Sequence, residues 1–278
     1  MIKALINGQP DTVVSITDRA FNYGDGVFET IAVNDRKLQF WSKHYQRLSN
    51  GCEKLSIIPP AEEKLLDDIK KLVPQQGKFV LKIIVSRGAG GRGYAAESSL
   101  APTIVVSLNH WPENNQIRIE KGIRARLCEH RLVINPALAG IKHLNRLDQV
   151  IARNEWHNSD FDEGIMLDLN DNLLEGTASN LFVKINNQWQ TAPEKDCAVA
   201  GVMRAFILEQ LAKKNIACIE KRIKQSELPL VDEVFVCNSI WGIIPVIQCD
   251  EFQFSIGDDV KDLQKELDQQ LDSYSYVF

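Results

Sequence analysis

The sequence has few cysteines, and they are not arranged in the pairs that zinc sites or small disulfide frameworks use. No Cys-x-x-Cys pair occurs, and the five histidines show no metal-ligand spacing with the thiols. We therefore expect free thiols in a metal-free protein of the reducing cytoplasm. The six cysteines are Cys52, Cys128, Cys197, Cys218, Cys237 and Cys249.

Long apolar runs and an excess of basic residues are also missing. No apolar segment approaches the length that crosses a bilayer, and the first residues show no signal-peptide pattern. The formal net charge is -5, which argues against a general nucleic-acid binder because such a protein would be basic. The composition therefore predicts a globular protein without a membrane or nucleic-acid partner.

Low-complexity segments and internal repeats are absent, and strand patterns alternate irregularly with helix patterns. This mixed order predicts an α+β fold of two domains rather than a regular doubly wound sheet. The polar segment 109–115 contains a proline and is the best linker candidate. We expect an N-terminal domain over residues 1–108, a linker over 109–115 and a C-terminal domain over 116–278.

Lys142 lies in a rather apolar segment, just before a helical pattern that Asn145 could cap. Burial disfavours the charged form of an amine, so a lysine of this kind is suited to act as a nucleophile or a base. The alternative is an ordinary surface lysine whose ammonium group reaches solvent.

Glu175 is an acidic residue within an apolar strand pattern, and a Gly-Thr turn follows it. A buried carboxylate needs a cationic partner. A protonated pyridine nitrogen would be one, and it would make the pyridine ring an electron sink. A nearby arginine or lysine is the alternative partner.

Three features could bind a phosphate group. Arg47 lies on a predicted helix and could offer two donors to a phosphate. The segment at Val202 and Met203 opens another helix, whose first N–H groups favour anions. A predicted strand ends in hydroxyl and amide donors at Asn238, Ser239 and Ile240.

Five groups of residues, in this order along the chain, resemble the successive motifs of the fold-type-IV pyridoxal-phosphate enzymes. Residues 18–29 match as well, so the resemblance extends to about Val246. The family includes branched-chain and D-amino-acid aminotransferases and the aminodeoxychorismate lyases. The five groups are His44-x-x-Arg47-Leu48, Ile141-Lys142-x-Leu144-Asn145, Glu175-Gly176-Thr177-x-Ser179-Asn180-Leu181-Phe182, Gly201-x-x-Arg204, and Asn238-Ser239 through Pro245-Val246.

The resemblance implies a two-domain, D-amino-acid-aminotransferase-like fold, pyridoxal 5'-phosphate as the cofactor, and a homodimer. It makes Lys142, placed in the C-terminal domain, the catalytic lysine that binds the cofactor covalently. It makes Glu175 the partner of the pyridine nitrogen. The phosphate ligands that it implies are Arg47, the backbone at Val202 and Met203, and the strand end at Asn238, Ser239 and Ile240.

Within the family, residues 140–147 and the glycine-rich segment 86–94 resemble the lyases, which form 4-aminobenzoate and pyruvate in folate biosynthesis. Arg87, Arg92 and Tyr94 of the glycine-rich segment would then meet a dianionic substrate. The alternative is a flexible surface loop with solvated arginines.

Phe28 stands where D-amino-acid aminotransferases tend to carry a tyrosine, so we assign it to the substrate site. Thr30 follows it as in the lyases, where its hydroxyl could move a proton, although a β-branched residue in a strand needs no such role. An aminotransferase acting on branched-chain or D-amino acids is the rival enzyme. A binding protein without turnover is disfavoured because both Lys142 and Glu175 are present.

Overall fold

The computed structural model describes residues 2–97, 100–113, 115–157, 160–196 and 199–278. Cys197 and residue 114 of the predicted linker lie outside these residues. The strands are β1 (Lys3–Ile6), β2 (Gln9–Pro10), β3 (Gly26–Asn34), β4 (Lys37–Gln39), β5 (Lys78–Ser86), β6 (Thr103–His110), β7 (Ile123–Leu132), β8 (Glu163–Asp168), β9 (Asn172–Gly176), β10 (Asn180–Ile185), β11 (Gln188–Thr191), β12 (Cys218–Glu220), β13 (Ile223–Lys224), β14 (Val231–Asn238), β15 (Gly242–Cys249), β16 (Phe252–Gln253) and β17 (Ser275–Val277).

The helices are α1 (Arg19–Tyr23), α2 (Trp41–Lys54), α3 (Glu62–Leu72), α4 (Asn115–Lys121), α5 (Leu147–Arg153), α6 (Val202–Lys213) and α7 (Asp258–Gln270). Within the described residues, short 3-10 helices cover Glu194–Asp196, Gln225–Leu230 and Leu271–Tyr274. No helix in the described part of the chain is long and apolar enough to cross a membrane.

The chain divides into two compact units. The first unit contains residues 1–112, 141–145 and 270–278, and the second contains 113–140 and 146–269. The unit boundary at Pro112 falls inside the predicted linker. The division differs from the predicted one at two places, since Lys142 and the last nine residues belong to the first unit.

The first unit is built on an antiparallel sheet in the order β17-β4-β3-β5-β6-β1-β2. Its centre is apolar because alternate residues of β3 and β5 point into the core, as Ile31, Leu81 and Ile83 do. Helix α2 lies against β3 and buries one face that includes His44 and Leu48. The last strand, β17, pairs with the edge strand β4, which explains why the C-terminal residues join this unit.

The second unit contains a mixed sheet in the order β12-β11-β10-β14-β15-β7-β8-β9-β13. A further pairing of β9 with β10 closes the path through β14, β15, β7 and β8 into a ring. Buried branched side chains such as Val183, Val236 and Ile244 form its core. The predicted amphipathic helix near the C-terminus is confirmed, since α7 buries Val260 and Leu263. Together the two sheets and their helices confirm the α+β class.

Candidate active site

Lys142 is held in place by the first residues of β3. The carbonyl of Lys142 accepts a hydrogen bond from the N–H of Phe28 at 2.9 Å, and the N–H of Leu144 donates to the carbonyl of Gly26 at 2.9 Å. A β-bridge between Val27 and His143 lies between these two bonds. The segment around Lys142 is therefore an extended addition to the sheet, which fixes the backbone from which the lysine projects.

The prediction that Asn145 caps the helix after Lys142 is wrong. Helix α5 begins at Leu147, its cap position is Arg146, and no side chain caps it. Asn145 instead donates from Nδ2 to the carbonyl of Gly24 at 3.0 Å, which ties the lysine segment to the turn before β3.

The side chain of Lys142 lies over the ring of Phe28, with Nζ 4.5 Å from the ring centroid. A second lysine contacts the same ring, because Nζ of Lys82 on β5 lies 5.3 Å from the centroid. The register places Thr30 directly beside Lys82, on the same face as Phe28. The structure therefore places Lys142 against Phe28 and sets Thr30 beside a further lysine, Lys82, which the sequence analysis missed.

Arg47 is anchored by a buried carboxylate. Its Nε and Nη2 donate to the two carboxylate oxygens of Glu29 at 2.7 and 2.6 Å, and Nδ1 of His44 lies 2.6 Å from the same carboxylate. Glu29 and His44 are at most 1% exposed. Burial alone would raise the pKa of Glu29, but the charges and hydrogen bonds of Arg47 and His44 together outweigh burial and hold the pKa at about 2.

Burial lowers the pKa of His44, and the adjacent Glu29 carboxylate opposes part of this effect. With Glu29 ionised, Nδ1 of His44 carries the hydrogen and donates it. Glu29 therefore holds two helix α2 side chains, one turn apart, in fixed orientations. Glu29 lies within the motif of residues 18–29, but its sequence position alone gives no sign of this role.

Arg87 differs from its predicted role as a substrate ligand. Its Nε and Nη2 donate to the carboxylate of Asp25 at 2.7 and 3.1 Å. Its Nη1 and Nη2 also donate to the carbonyls of Ser56 at 2.8 Å and Leu55 at 2.6 Å. Burial would raise the pKa of Asp25, but Arg87 and Arg19 together lower it. Arg87 is thus part of an internal ion-pair network.

The other two residues of the glycine-rich segment are exposed. Arg92 lies at the surface, and Tyr94 is 88% exposed with its ring 5.6 Å from that of Tyr23. Arg19 donates to the backbone carbonyls of Gly93 and Tyr94, so the segment is anchored through its backbone. Within the first unit, Arg92 and Tyr94 remain available to a ligand.

In the second unit, Glu175 is buried near the end of β9, as predicted. Its Oε2 accepts a hydrogen bond from the N–H of Val199 at 3.3 Å, and the carbonyl of Val199 accepts from Nδ2 of Asn180 at 3.0 Å. Val199 therefore links two residues of the same sequence motif. Gly201 is required beside them, since a Cβ atom there would lie 1.8 Å from Oδ1 of Asn180.

The turn after Glu175 is organised by Glu163, a carboxylate that the sequence analysis missed. Glu163 is 1% exposed and accepts hydrogen bonds from the backbone and hydroxyl of Thr177 and from the hydroxyl of Ser179. Gly176 is needed because an added Cβ would lie 2.8 Å from the Glu163 carboxylate. These bonds replace the solvent that a buried carboxylate loses.

The predicted phosphate ligands of the second unit lie at two chain positions. Val202 and Met203 open helix α6, where the first N–H groups have no intrahelical partner. At the end of β14, Oδ1 of Asn238 accepts from the N–H of Ile240 at 2.9 Å, and its Nδ2 donates to Ala178. Asn238 and Ile240 thus shape this turn, and the Ser239 hydroxyl is the donor that no described residue engages.

The chain belongs to the amino-transferase class IV family, whose model matches residues 26–249. A protein named aminodeoxychorismate lyase from Vibrio harveyi is 34% identical over 241 residues, which cover 87% of this chain and 89% of that protein. A putative branched-chain-amino-acid aminotransferase of Methanocaldococcus jannaschii is 29% identical over 260 residues, covering 90% of this chain and 88% of that protein.

Solved structures agree with this assignment. The crystal structure of 4-amino-4-deoxychorismate lyase from Pseudomonas aeruginosa is 37% identical, with a TM-score of 0.90 and coverage of 97% of this chain and 99% of that chain. The branched-chain amino acid aminotransferase from Escherichia coli is 22% identical, with a TM-score of 0.85, and covers 97% of this chain and 94% of its own. The second likeness establishes the fold alone, and together they confirm the predicted fold type.

Proposed function

We propose that this protein is a pyridoxal-5'-phosphate-dependent lyase that converts 4-amino-4-deoxychorismate to 4-aminobenzoate and pyruvate, a step of folate biosynthesis. The observation that carries the proposal is the position of Lys142, whose segment is bonded to β3 and whose amine contacts the ring of Phe28. The chain that contains it matches a solved lyase over 97% of its length. Phe28 lacks the hydroxyl that could bind an amino-acid carboxylate, and this difference favours the lyase over an aminotransferase.

Each unit by itself offers residues that fit the cofactor. In the first unit, Arg47 offers a guanidinium fixed by Glu29, which suits a phosphate dianion. In the second unit, the start of α6 offers N–H groups without an intrahelical partner, which suit an anion of the same kind. Glu175 is a buried carboxylate whose orientation is set by Val199, which suits a pyridinium nitrogen. We propose Val202, Met203 and Ser239 as the phosphate donors of the second unit, with Asn238 and Ile240 shaping the turn that presents Ser239.

When bound, the cofactor supplies an electron sink for the carbon that bears the substrate amine. We propose that Lys142 removes the proton from that carbon, and that Glu175 keeps the pyridine nitrogen protonated. The carbon–oxygen bond to the enolpyruvyl group then breaks, and its methylene carbon gains a proton from Lys142 or Thr30. The ring becomes aromatic, which drives the release of 4-aminobenzoate and pyruvate.

The experiment is incubation of cofactor-loaded protein with 4-amino-4-deoxychorismate, with 4-aminobenzoate fluorescence and pyruvate followed together. We expect the two products in equal amounts, and no product from the Lys142→Ala variant. Lys43→Ala is the matched control, since Lys43 lies on helix α2 outside the proposed residues, and its turnover should equal that of the wild type. Full turnover by Lys142→Ala would contradict the assignment.

An aminotransferase is the second candidate, and the 29% identity with the putative branched-chain enzyme of Methanocaldococcus jannaschii favours it. An aminotransferase would use the same Lys142 and Glu175. It would convert the bound cofactor to its pyridoxamine form when given an amino acid and would release a keto acid. A lyase with its own substrate leaves the cofactor in the pyridoxal form.

We further propose a cytoplasmic homodimer. Both units carry exposed apolar side chains of the kind that mark subunit interfaces. Ile16 is 79% and Phe21 76% exposed in the first unit, and Leu147 is 74% exposed on helix α5 of the second. The cytoplasmic location is supported by five described cysteines that are all free thiols.

A further inference from the structure

Lys82 has a position that its strand does not explain. It is the only charged residue of β5 beyond its first position, and it lies on the half-buried face, while Leu81 and Ile83 on the opposite face are fully buried. The register places it between Thr30 of β3 and Ser107 of β6. Two hydroxyl-bearing residues therefore flank a lysine in one row across three adjacent strands.

Among the described residues, the contact that Lys82 makes is with an aromatic ring rather than with a carboxylate. Its only described charge-related contact is with the ring of Phe28, 5.3 Å from Nζ, and none of the described residues forms an ion pair with it. The Phe28 ring is also contacted by Nζ of Lys142, at 4.5 Å. The amines of Lys82 and Lys142 thus contact one aromatic side chain, so an anion bound to Lys82 would lie close to Lys142.

We propose that Lys82 binds a carboxylate of the substrate on the sheet face formed by Phe28, Thr30 and Ser107. This inference rests on the proposed function, whose substrate carries two carboxylates. A lysine at this place would orient the substrate relative to Lys142, since both amines project over the same ring. It also gives the lyase a binding cation in place of Arg87, whose guanidinium is held by Asp25.

The experiment compares Lys82→Met and Lys82→Arg with the wild type, and Lys78→Met serves as the matched control. Lys78 lies on the same strand four residues earlier and is exposed. A charged hydrogen bond of ordinary strength corresponds to at least about a tenfold change in affinity. We therefore expect KM for 4-amino-4-deoxychorismate to rise at least about tenfold in Lys82→Met, with kcat affected far less. Lys82→Arg should recover most of this loss, and Lys78→Met should match the wild type.

Cofactor affinity, measured by the visible absorbance of the bound cofactor, should be the same in Lys82→Met and the wild type. Weaker cofactor binding would overturn the proposal, because Lys82 would then serve the cofactor phosphate. An unchanged KM, or a loss confined to kcat, would also overturn it.

The failure of this proposal and the failure of the proposed function can be told apart. Product release by the wild type tests the function without any variant. Calorimetric titration of the cofactor-loaded wild type and Lys82→Met with 4-aminobenzoate and with pyruvate tests Lys82 independently of turnover. Loss of affinity for one of these carboxylates supports the proposal and identifies the carboxylate that Lys82 contacts. Equal affinities for both ligands in the two proteins would contradict it.

Discussion

The substitution Glu29→Gln should destabilise the first unit and release Arg47. The wild-type carboxylate has a pKa of about 2 against an ordinary value of 4.5. Each pH unit between folded and unfolded pKa values corresponds to about 1.4 kcal/mol, so the ionised carboxylate stabilises the folded state by roughly 3 kcal/mol at neutral pH. Because the folded pKa is lowered, this contribution is present above pH 4.5 and is lost as the pH falls toward 2.

The assay is urea unfolding at several pH values between 7.5 and 3.5, with Glu129→Gln as the control. The carboxylate of Glu129 is 88% exposed beside Arg126, so its loss should change the free energy of unfolding by less than about 1 kcal/mol. Glu29→Gln should lower the free energy of unfolding by roughly 3 kcal/mol at pH 7.5. The difference in this free energy between the variant and the wild type should shrink below pH 4.5. Its cofactor affinity should also fall, because Arg47 loses the anchor for two of its donors. A cost below about 1 kcal/mol, or a difference independent of pH, would refute the reasoning.

Three further predictions concern the proton path, helix α6 and the assembly. Thr30→Val should lower kcat by about a hundredfold or more if the hydroxyl transfers a proton, while Thr30→Ser retains activity; equal rates for both variants would exclude that role. Gly201→Ala should weaken cofactor binding in an absorbance titration, because the added methyl group would lie 1.8 Å from Oδ1 of Asn180 and displace the start of the helix; unchanged affinity would contradict this geometry. Replacing Ile16 and Phe21 together with aspartate should give monomers in analytical ultracentrifugation where the wild type gives dimers, and dimers of unchanged affinity would exclude this surface from the interface.

Lys142 and Glu175 can be singled out from the sequence because each stands in a motif whose order along the chain is specific. The local patterns alone leave a surface lysine and an ordinary cationic partner open as alternatives, and the order of the motifs along the chain favours the cofactor roles. The structure places Glu175 as predicted, buried on β9, and holds Lys142 against β3.

Residues whose role depends on distant partners could not be assigned in this way. Arg87 resembles a substrate ligand in the sequence, but its carboxylate partner, Asp25, lies 62 positions away. Asn145 has a side chain that often caps helices, yet its amide donates a hydrogen bond to the carbonyl of Gly24. Lys82 reads as an ordinary solvent-facing residue of a strand, and only the register with Thr30 reveals its surroundings.

The prediction of which unit each chain segment joins is limited by the same dependence on distant partners. The order of strands depends on pairings between residues far apart in sequence, and such pairings leave no local pattern. Strand β17 therefore joins the first unit through β4, although α7 just before it belongs to the second. The sequence predicts a contiguous C-terminal domain. The structure differs because the Lys142 segment pairs with β3 and β17 pairs with β4, both in the first unit.

The central claim, a lyase rather than an aminotransferase, is tested most directly by the form of the cofactor after turnover. Cofactor-loaded protein is given 4-amino-4-deoxychorismate in one sample and branched-chain or D-amino acids in others, and the pyridoxamine form is quantified beside the products. The account predicts 4-aminobenzoate and pyruvate in equal amounts with the cofactor still in its pyridoxal form, and little conversion by any amino acid. Conversion to the pyridoxamine form with release of a keto acid, and no 4-aminobenzoate, would contradict it.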